Sequence, residues 1–250
     1  MNDFQLEAQR RSIRALSYSL HMPAYVVAEN QIANLGSPKL AILPSPQALG
    51  EECWSALLKY VEAGGNLLIT GPVARDEHQQ AIDRLTALGI KSEVEPLVYH
   101  NASLKLGDQV IPLEFGQQQQ NWLDSLRFAD GSTFEEISHG KGRIFWTAYP
   151  VELNENLDAV AKSYAYLTGR LKIAPLFSTS AAIPPGVLVF PTVMAASVVY
   201  VMVSDSTDAA KVSIHDQLTG AQIDLTLPSQ HAAIAVVGKK EKKVVAHYGF

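Results

Sequence analysis

The chain has 250 residues, of which 47% are apolar and 18% charged, and its formal net charge is −5. This composition excludes intrinsic disorder, which requires low hydrophobicity and high charge, and it argues against a nucleic-acid partner, which usually requires a basic surface. No apolar run approaches the roughly 18 residues of a membrane helix, and the first residues lack the basic and apolar regions of a signal peptide. The single cysteine, Cys53, excludes an internal disulfide and a cysteine-based zinc site.

The first 170 residues alternate between helical and strand patterns. Apolar residues at helical spacing predict helices at 4–20, 51–63, 78–88 and 157–167. Short apolar runs predict strands at 24–27, 39–43, 66–70, 94–98, 103–106, 110–113 and 143–147. Asp76 is the expected N-cap of the third helix, and the glutamine run 117–120 is expected to be a loop. This order predicts a mostly parallel sheet with helices on its faces.

The composition changes near residue 171. Residues 1–170 carry a net charge of −6 and 9 valines, whereas residues 171–250 carry +1 and 12 valines. Valine is β-branched and fits a pleated surface, so we expect the second half to be rich in strands. The predicted strands are 187–193, 197–203, 211–215, 222–227, 232–237 and 242–246. Strands that are short and evenly spaced predict a small antiparallel β-sandwich.

Motifs of known chemistry are weak in this sequence. Cys53 lies within a predicted helix without an adjacent histidine, so a structural role is favoured over a nucleophilic one. The seven histidines form no zinc-binding spacing, and we expect neither a metal nor a cofactor. Glu135 and Glu136 are adjacent on a predicted strand, so their side chains point to opposite faces and cannot act together on one glycosidic bond.

A ligand site, if present, is expected where the parallel strands end. In open parallel sheets, ligands bind beyond the carboxyl ends of the strands. Ser45 follows the strand at 39–43, and Thr70 and Gly71 end the strand at 66–70. His139, just before the turn at Gly140, is the histidine of greatest interest, although a loop role is favoured over catalysis. The candidate ligand-binding residues are therefore Ser45, Thr70, Gly71 and His139, and no catalytic residue is assigned.

The first half resembles the class I glutamine-amidotransferase-like, or flavodoxin-like, fold. The resemblance is carried by the strand from Lys39 to Pro46, the helix that ends in Tyr60-Val-Glu-Ala-Gly-Gly65, and the strand that ends at Gly71. This run is similar to the non-catalytic domain that follows the catalytic barrel in trimeric beta-galactosidases and related glycoside hydrolases. Gly140-Lys-Gly-Arg143, before an apolar strand, resembles the last strand of that domain. The resemblance implies a role in trimer assembly.

The second half resembles the small C-terminal β-sandwich of the same enzymes. The pattern consists of a strand over Tyr200–Val203 and an ending over Val244–Gly249. We therefore expect an amidotransferase-like α/β domain at 1–174 and a C-terminal β-sandwich at 175–250. The implied partners are an upstream catalytic barrel of the same parent chain, further copies of the chain, and carbohydrate indirectly. No nucleic-acid or membrane partner is expected.

The sequence departs from these families in three respects. No cysteine occupies the turn after the strand that ends at Thr70, where amidotransferases carry their nucleophile, so amide hydrolysis by that machinery is not expected. The chain has no catalytic barrel, and it opens in a helix where the fold normally begins with a strand. We therefore expect a fragment of a longer protein. The missing signal pattern and the single cysteine favour the cytoplasm for the chain as given, with an upstream segment expected to be missing.

These observations support a non-catalytic accessory or assembly region of a larger glycoside hydrolase. The alternative is a stand-alone small-molecule-binding protein that has the amidotransferase-like fold without the nucleophile and uses the cleft near Ser45 and Thr70. A third hypothesis is an unusual hydrolase that uses His139.

Overall fold

A computed structural model describes residues 4–90, 102–116 and 132–250. The chain divides into two compact units: Met1–Ile13 with Val26–Leu167, and Arg14–Tyr25 with Thr168–Phe250. They are called the first and second units below. The predicted strand at 94–98 and the predicted glutamine loop at 117–120 lie outside the described residues.

The first unit is built on a four-stranded sheet with strand order β1-β2-β6-β5. Strands β1 (Ala41–Leu43), β2 (Asn66–Thr70) and β6 (Gly142–Thr147) are parallel, and β5 (Glu135–His139) is antiparallel to β6. The central strands are apolar on both faces, and Leu67, Leu68 and Ile144 are fully buried. Such two-sided burial is typical of a parallel sheet whose faces are covered. The structure therefore confirms the predicted mixed α/β character of this half and its parallel strands.

Helix α2 (Glu51–Glu62) packs against this sheet through an apolar stripe. Its buried residues Cys53, Trp54, Leu57 and Val61 follow helical spacing. Helix α1 (Phe4–Arg14) and helix α3 (Leu157–Arg170) also belong largely to this unit, and β3 (Ser103–Leu106) with β4 (Gln109–Pro112) forms a separate hairpin. Short 3₁₀-helices lie at Glu29–Leu35, Thr86–Leu88 and Val151–Leu153.

Three predicted elements of the first half are corrected by the structure. The helix expected at 78–88 is only a 3₁₀ turn at Thr86–Leu88, because Asp76 accepts hydrogen bonds from the amides of His78 and Gln80 and closes a turn instead of capping a helix. The strand expected at 24–27 has no strand partner, and Tyr25 is 78% exposed. The helix expected at 4–20 is an α-helix only over Phe4–Arg14, and it continues as a π-helix over Ala15–Ser19.

The second unit consists of two antiparallel sheets around one apolar core. The first sheet has strand order β11-β10-β7 and the second β13-β12-β9-β8. The strands are β7 (Phe177–Thr179), β8 (Val187–Val193), β9 (Ser197–Ser204), β10 (Ala210–Asp216), β11 (Gln222–Leu227), β12 (Ala232–Gly238) and β13 (Lys243–Tyr248). The alternating side chains that point inward from both sheets form the buried cluster. All six predicted strands of this half are confirmed, and β7 is an additional strand.

The segment Arg14–Tyr25 groups with the second unit although it lies near the start of the chain. Its π-helix contacts β8, and the His21 ring stacks on the Phe177 ring with 4.5 Å between centroids. Phe177 is fully buried and also makes an edge contact with Tyr200. An N-terminal segment is therefore part of the packing of the C-terminal β unit.

Candidate functional site

The carboxyl ends of β1 and β2 bring two of the predicted site residues together. The parallel register pairs Leu43 with Ile69, so both strands end at the same edge of the sheet. Ser45 and Thr70 are fully buried there, and the Ser45 amide donates a hydrogen bond of 2.9 Å to Thr70 Oγ1. Ser45 has a φ of 43°, a left-handed conformation that is uncommon for residues other than glycine.

A buried carboxyl group, Glu152, completes this arrangement. Its Oε2 accepts hydrogen bonds from Ser45 Oγ, at 2.6 Å, and from Thr70 Oγ1. Its Oε1 accepts a hydrogen bond of 2.6 Å from the Tyr164 hydroxyl, which also lies 2.9 Å from Ser12 Oγ. These five residues, called the Glu152 network below, are all buried. The network joins the carboxyl edge of the sheet to helices α1 and α3.

Burial dominates the electrostatics of the Glu152 network. It raises the pKa of Glu152, and the hydrogen bonds from Ser45, Thr70 and Tyr164 oppose that rise only in part. Burial also raises the pKa of Tyr164 well above its usual value, and the negative charge of Glu152 adds to the effect. Both groups therefore favour their neutral forms more strongly than they do in water.

The position of Gly71 shows what covers this edge. Gly71 has a φ of +89°, and its amide donates to the carbonyls of Thr147 and Tyr149. Its carbonyl accepts a hydrogen bond of 2.9 Å from Trp146 Nε1, and a Cβ at Gly71 would lie 3.7 Å from Pro150 Cβ. The segment after β6 therefore packs over the strand ends, where the sequence predicted a cleft.

The fourth predicted residue, His139, lies at the other edge of the sheet. It ends β5 opposite Gly142, and Arg143 in β6 is in register with Asn66 at the start of β2. His139 Nε2 is 3.3 Å from Glu62 Oε1. The structure therefore brings Ser45, Thr70 and Gly71 together and leaves His139 outside the group.

The Glu152 network is suited to holding chain segments together. A serine in a left-handed turn after a strand, bonded to a carboxylate, has the general placement of a nucleophile. Ser45 and Glu152 are both 0% exposed, however, and a nucleophile must reach its substrate. In this arrangement, the hydroxyls stabilise a buried carboxyl group, and the network links five segments of the first unit.

Sequence reasoning missed Glu152 as a site residue. It is 107 residues from Ser45 and 82 from Thr70 along the chain, and its 3₁₀-helix, Val151–Leu153, has no sequence motif. The available signal was a lone acidic residue among apolar ones at Pro150-Val-Glu-Leu153, soon after a buried strand. An acidic residue in that setting is either exposed or paired inside the protein.

Cys53 and Arg84 belong to a second buried polar region of the first unit. Arg84 donates to the carbonyls of Leu49, at 2.6 Å, and Arg75, at 3.1 Å, and its guanidinium lies over the Trp54 ring. Burial raises the pKa of Cys53 to about 11, and the Glu29 charge adds to this. The thiol is thus protonated at neutral pH, as expected for a structural cysteine.

The remaining described surfaces give little chemistry. A groove of about 520 Å³ lies on the second unit between residues 181–183 and strands β10 and β11, lined by Lys211, Ser213 and Asp224 among others. Within the described ranges, no group of three or more His, Cys, Asp or Glu side chains is placed to hold a metal ion. The helices of these ranges include none with the length and apolarity needed to cross a membrane.

The fold is similar to solved structures of GH42 beta-galactosidases. Gan42B from G. stearothermophilus matches with a TM-score of 0.66 and 15% identity, over 95% of this chain and 37% of that one. The enzyme from Bacillus circulans sp. alkalophilus matches with 0.66 and 15%, over 94% and 38%. That from Rahnella sp. R3 matches with 0.62 and 17%, over 91% and 36%. At these identities the likeness is one of fold.

No protein-family model and no curated protein matches the sequence. The chain spans little more than a third of the length of the solved structures that it resembles. It therefore has the fold of part of a GH42 beta-galactosidase, which relates it structurally to a region of a glycoside hydrolase.

Proposed function

We propose that this chain is a non-catalytic accessory and assembly region of a larger glycoside hydrolase that acts on carbohydrate. The first unit would be the amidotransferase-like domain that supports assembly, and the second the C-terminal β-sandwich. The partners would be a catalytic barrel and further copies of the chain. The observation that carries the proposal is the match of 95% of this chain to only 37% of a beta-galactosidase.

The Glu152 network supports the non-catalytic part of the proposal. Glycoside hydrolysis generally requires a pair of carboxyl groups, one on each side of the bond that is cleaved, and the two are about 5–9.5 Å apart. Among the described residues, the Glu152 network holds one carboxyl group, and its oxygens are occupied by three hydroxyls. The turn after β2 carries no cysteine, and its Val73, with a φ of 45°, is 2% exposed. Both features favour a structural role.

The test compares the recombinant chain with the native protein. The recombinant chain should hydrolyse no fluorogenic galactoside. Antibodies raised against it should precipitate, from cells of the source organism, a polypeptide or complex that contains a catalytic barrel and hydrolyses the same substrate.

Two results would overturn the proposal. One is hydrolysis by the recombinant chain that Glu152→Gln abolishes. The other is a native polypeptide of this chain's own length that precipitates alone and carries no glycosidase activity.

A further inference from the structure

The groove on the second unit has an apolar wall and a polar floor. The wall is the segment that follows β7, in which Ala181 and Ala182 are exposed and Ile183 packs against the core of the unit. The floor is formed by strands β10 and β11. The volume of about 520 Å³ lies within the range of small-molecule sites, about 300–1,000 Å³. Because Ile183 anchors the wall in the core, the groove is a preformed feature of the folded unit.

The floor of the groove carries polar side chains on one face of the sheet. Lys211 on β10 lies opposite Thr226 on β11, and Ser213 lies opposite Asp224. These residues alternate with buried ones along both strands, so their side chains point outward together. Lys211 and Asp224 are diagonal neighbours across the two strands, about 7 Å apart, and a single small ligand can therefore contact both.

Asp224 is held in one orientation by its neighbours. Its Oδ1 accepts a hydrogen bond of 2.6 Å from Ser213 Oγ and one of 3.1 Å from Gln222 Nε2, which also donates to Ser213 Oγ at 2.9 Å. The hydrogen bonds from Ser213 and Gln222 lower the pKa of Asp224, so its carboxylate is charged at neutral pH. Both bonds go to Oδ1, which leaves Oδ2 as an acceptor for a ligand.

Two further groups of the floor have no partner within the described part of the chain. Lys211 Nζ takes part in none of the ion pairs there, and Thr226 Oγ1 makes no side-chain hydrogen bond. The groove therefore offers an ammonium donor, a carboxylate acceptor and a hydroxyl that does both. A ligand that satisfies all three carries donors and acceptors together and needs no net charge, because the floor holds one charge of each sign.

We propose that this groove binds a saccharide. Adjacent hydroxyls of a sugar ring donate to Asp224 while a ring substituent oxygen accepts from Lys211, since each hydroxyl can do both. The C–H face of the ring packs on the small side chains of Ala181 and Ala182. A neutral sugar matches the balanced charges of the floor. The choice of a saccharide over other polar ligands rests on the proposed function, in which the parent enzyme acts on carbohydrate.

Binding of lactose to the full, isotope-labelled chain tests this proposal. In amide proton–nitrogen correlation spectra, the signals of residues 181–183, 211–213 and 224–226 should shift and saturate. We expect a dissociation constant of about 1–10 mM, as a few solvent-exposed hydrogen bonds allow. Sorbitol, a polyol without a ring, and glycylglycine, a zwitterion, are the comparison ligands, and neither should saturate these signals.

Matched variants show whether the floor of the groove binds the sugar. Asp224→Asn keeps the shape of the side chain and removes its charge, and it should raise the dissociation constant for lactose about fivefold. Ser213→Ala removes one of the two bonds that orient Asp224 and should raise it less. Glu241→Gln, which removes an exposed carboxylate between β12 and β13, is the control and should leave it unchanged. Circular dichroism shows whether each variant is folded, and Lys211→Met replaces Asp224→Asn if the latter does not fold.

Each outcome supports or overturns the saccharide site. Shifts that grow linearly with lactose, or that sorbitol reproduces, overturn it, and so does lactose binding that Asp224→Asn leaves unchanged. Saturation by glycylglycine at lower concentration than by lactose overturns it in favour of a zwitterion. None of these results bears on the accessory role, which fails separately if the native protein contains no catalytic barrel.

Discussion

Glu152 is a carboxyl group enclosed by hydroxyls at the carboxyl edge of a parallel sheet. Removal of its side chain would take away the acceptor that the hydroxyls of Ser45, Thr70 and Tyr164 share, and each buried hydroxyl that is left unsatisfied costs about 1–3 kcal/mol. The raised pKa of Glu152 makes its contribution to stability depend on pH. Below its unfolded pKa of 4.5, the favourable contribution is complete, and it is lost as pH rises through the higher folded value.

We expect Glu152→Gln to change the pH dependence of stability. Glutamine does not titrate, so the free energy of unfolding of the native chain should exceed that of the variant most at about pH 4.5. The difference should shrink, or reverse in sign, towards pH 8. Urea unfolding across that range measures it, and Glu77→Gln, which removes an exposed carboxyl group, is the control. Parallel pH profiles for the native and Glu152→Gln chains would contradict the assignment.

At the scale of elements, the contact of α2 with the start of β6 depends on a glycine. A Cβ at Gly142 would lie 2.0 Å from the Gly65 carbonyl oxygen and 2.4 Å from that of Val61. The Arg143 amide donates to the same Gly65 carbonyl, so the backbone there cannot easily move away. Gly142 therefore allows the end of α2 and the first residue of β6 to approach closely.

Gly142→Ala should destabilise the first unit by about 3 kcal/mol, the upper range for an overpacked site. The matched control is Gly169→Ala in α3, where an added Cβ meets nothing within 4 Å. Because alanine favours helix over glycine, that variant should gain up to about 1 kcal/mol. Urea unfolding followed by circular dichroism reports both, since Gly142 lies in the first unit and Gly169 in the second. Equal effects of the two substitutions would show that the approach at Gly142 is unimportant.

At the scale of the whole molecule, two separate stretches of the chain form the second unit. Residues 14–25 join it early, and residues 168–250 form the rest. His21 anchors the early segment by stacking on Phe177, and burial lowers the pKa of His21. Its contribution to stability is therefore present above the unfolded pKa of 6.5 and is lost as pH falls through the lower folded value.

We expect acid to loosen the second unit through His21. The protection of β7 and β8 amides against hydrogen exchange should fall between pH 7 and pH 5, after correction for the intrinsic exchange rate. In His21→Phe, which keeps a stacking ring without a titrating group, the loss should be smaller. His231→Phe, at an exposed histidine, serves as the control. The same loss in the native chain and in His21→Phe would refute the role of this histidine.

The sequence by itself determined the elements whose signals are local. Strands β8 and β11 have the predicted bounds, because alternating apolar residues and turn residues specify a strand without reference to its partners. The sequence predicted helix α2 equally well, because an apolar stripe, two glutamates in the first turn and a pair of glycines after the last turn define it. Strand β2 was predicted from its short apolar run. The convergence of Ser45 and Thr70 also followed from the sequence, since parallel strands end at one edge.

Tertiary structure decided the rest, because those features depend on residues far apart in the chain. Glu152 joins the site from 107 residues away, and the short strand β7 exists only because β10 pairs with it. Strands β9 and β12 are apolar on both faces, a pattern that the sequence can only associate with burial. Only the sheet order and register show that one of these faces packs the core while the other points away from it.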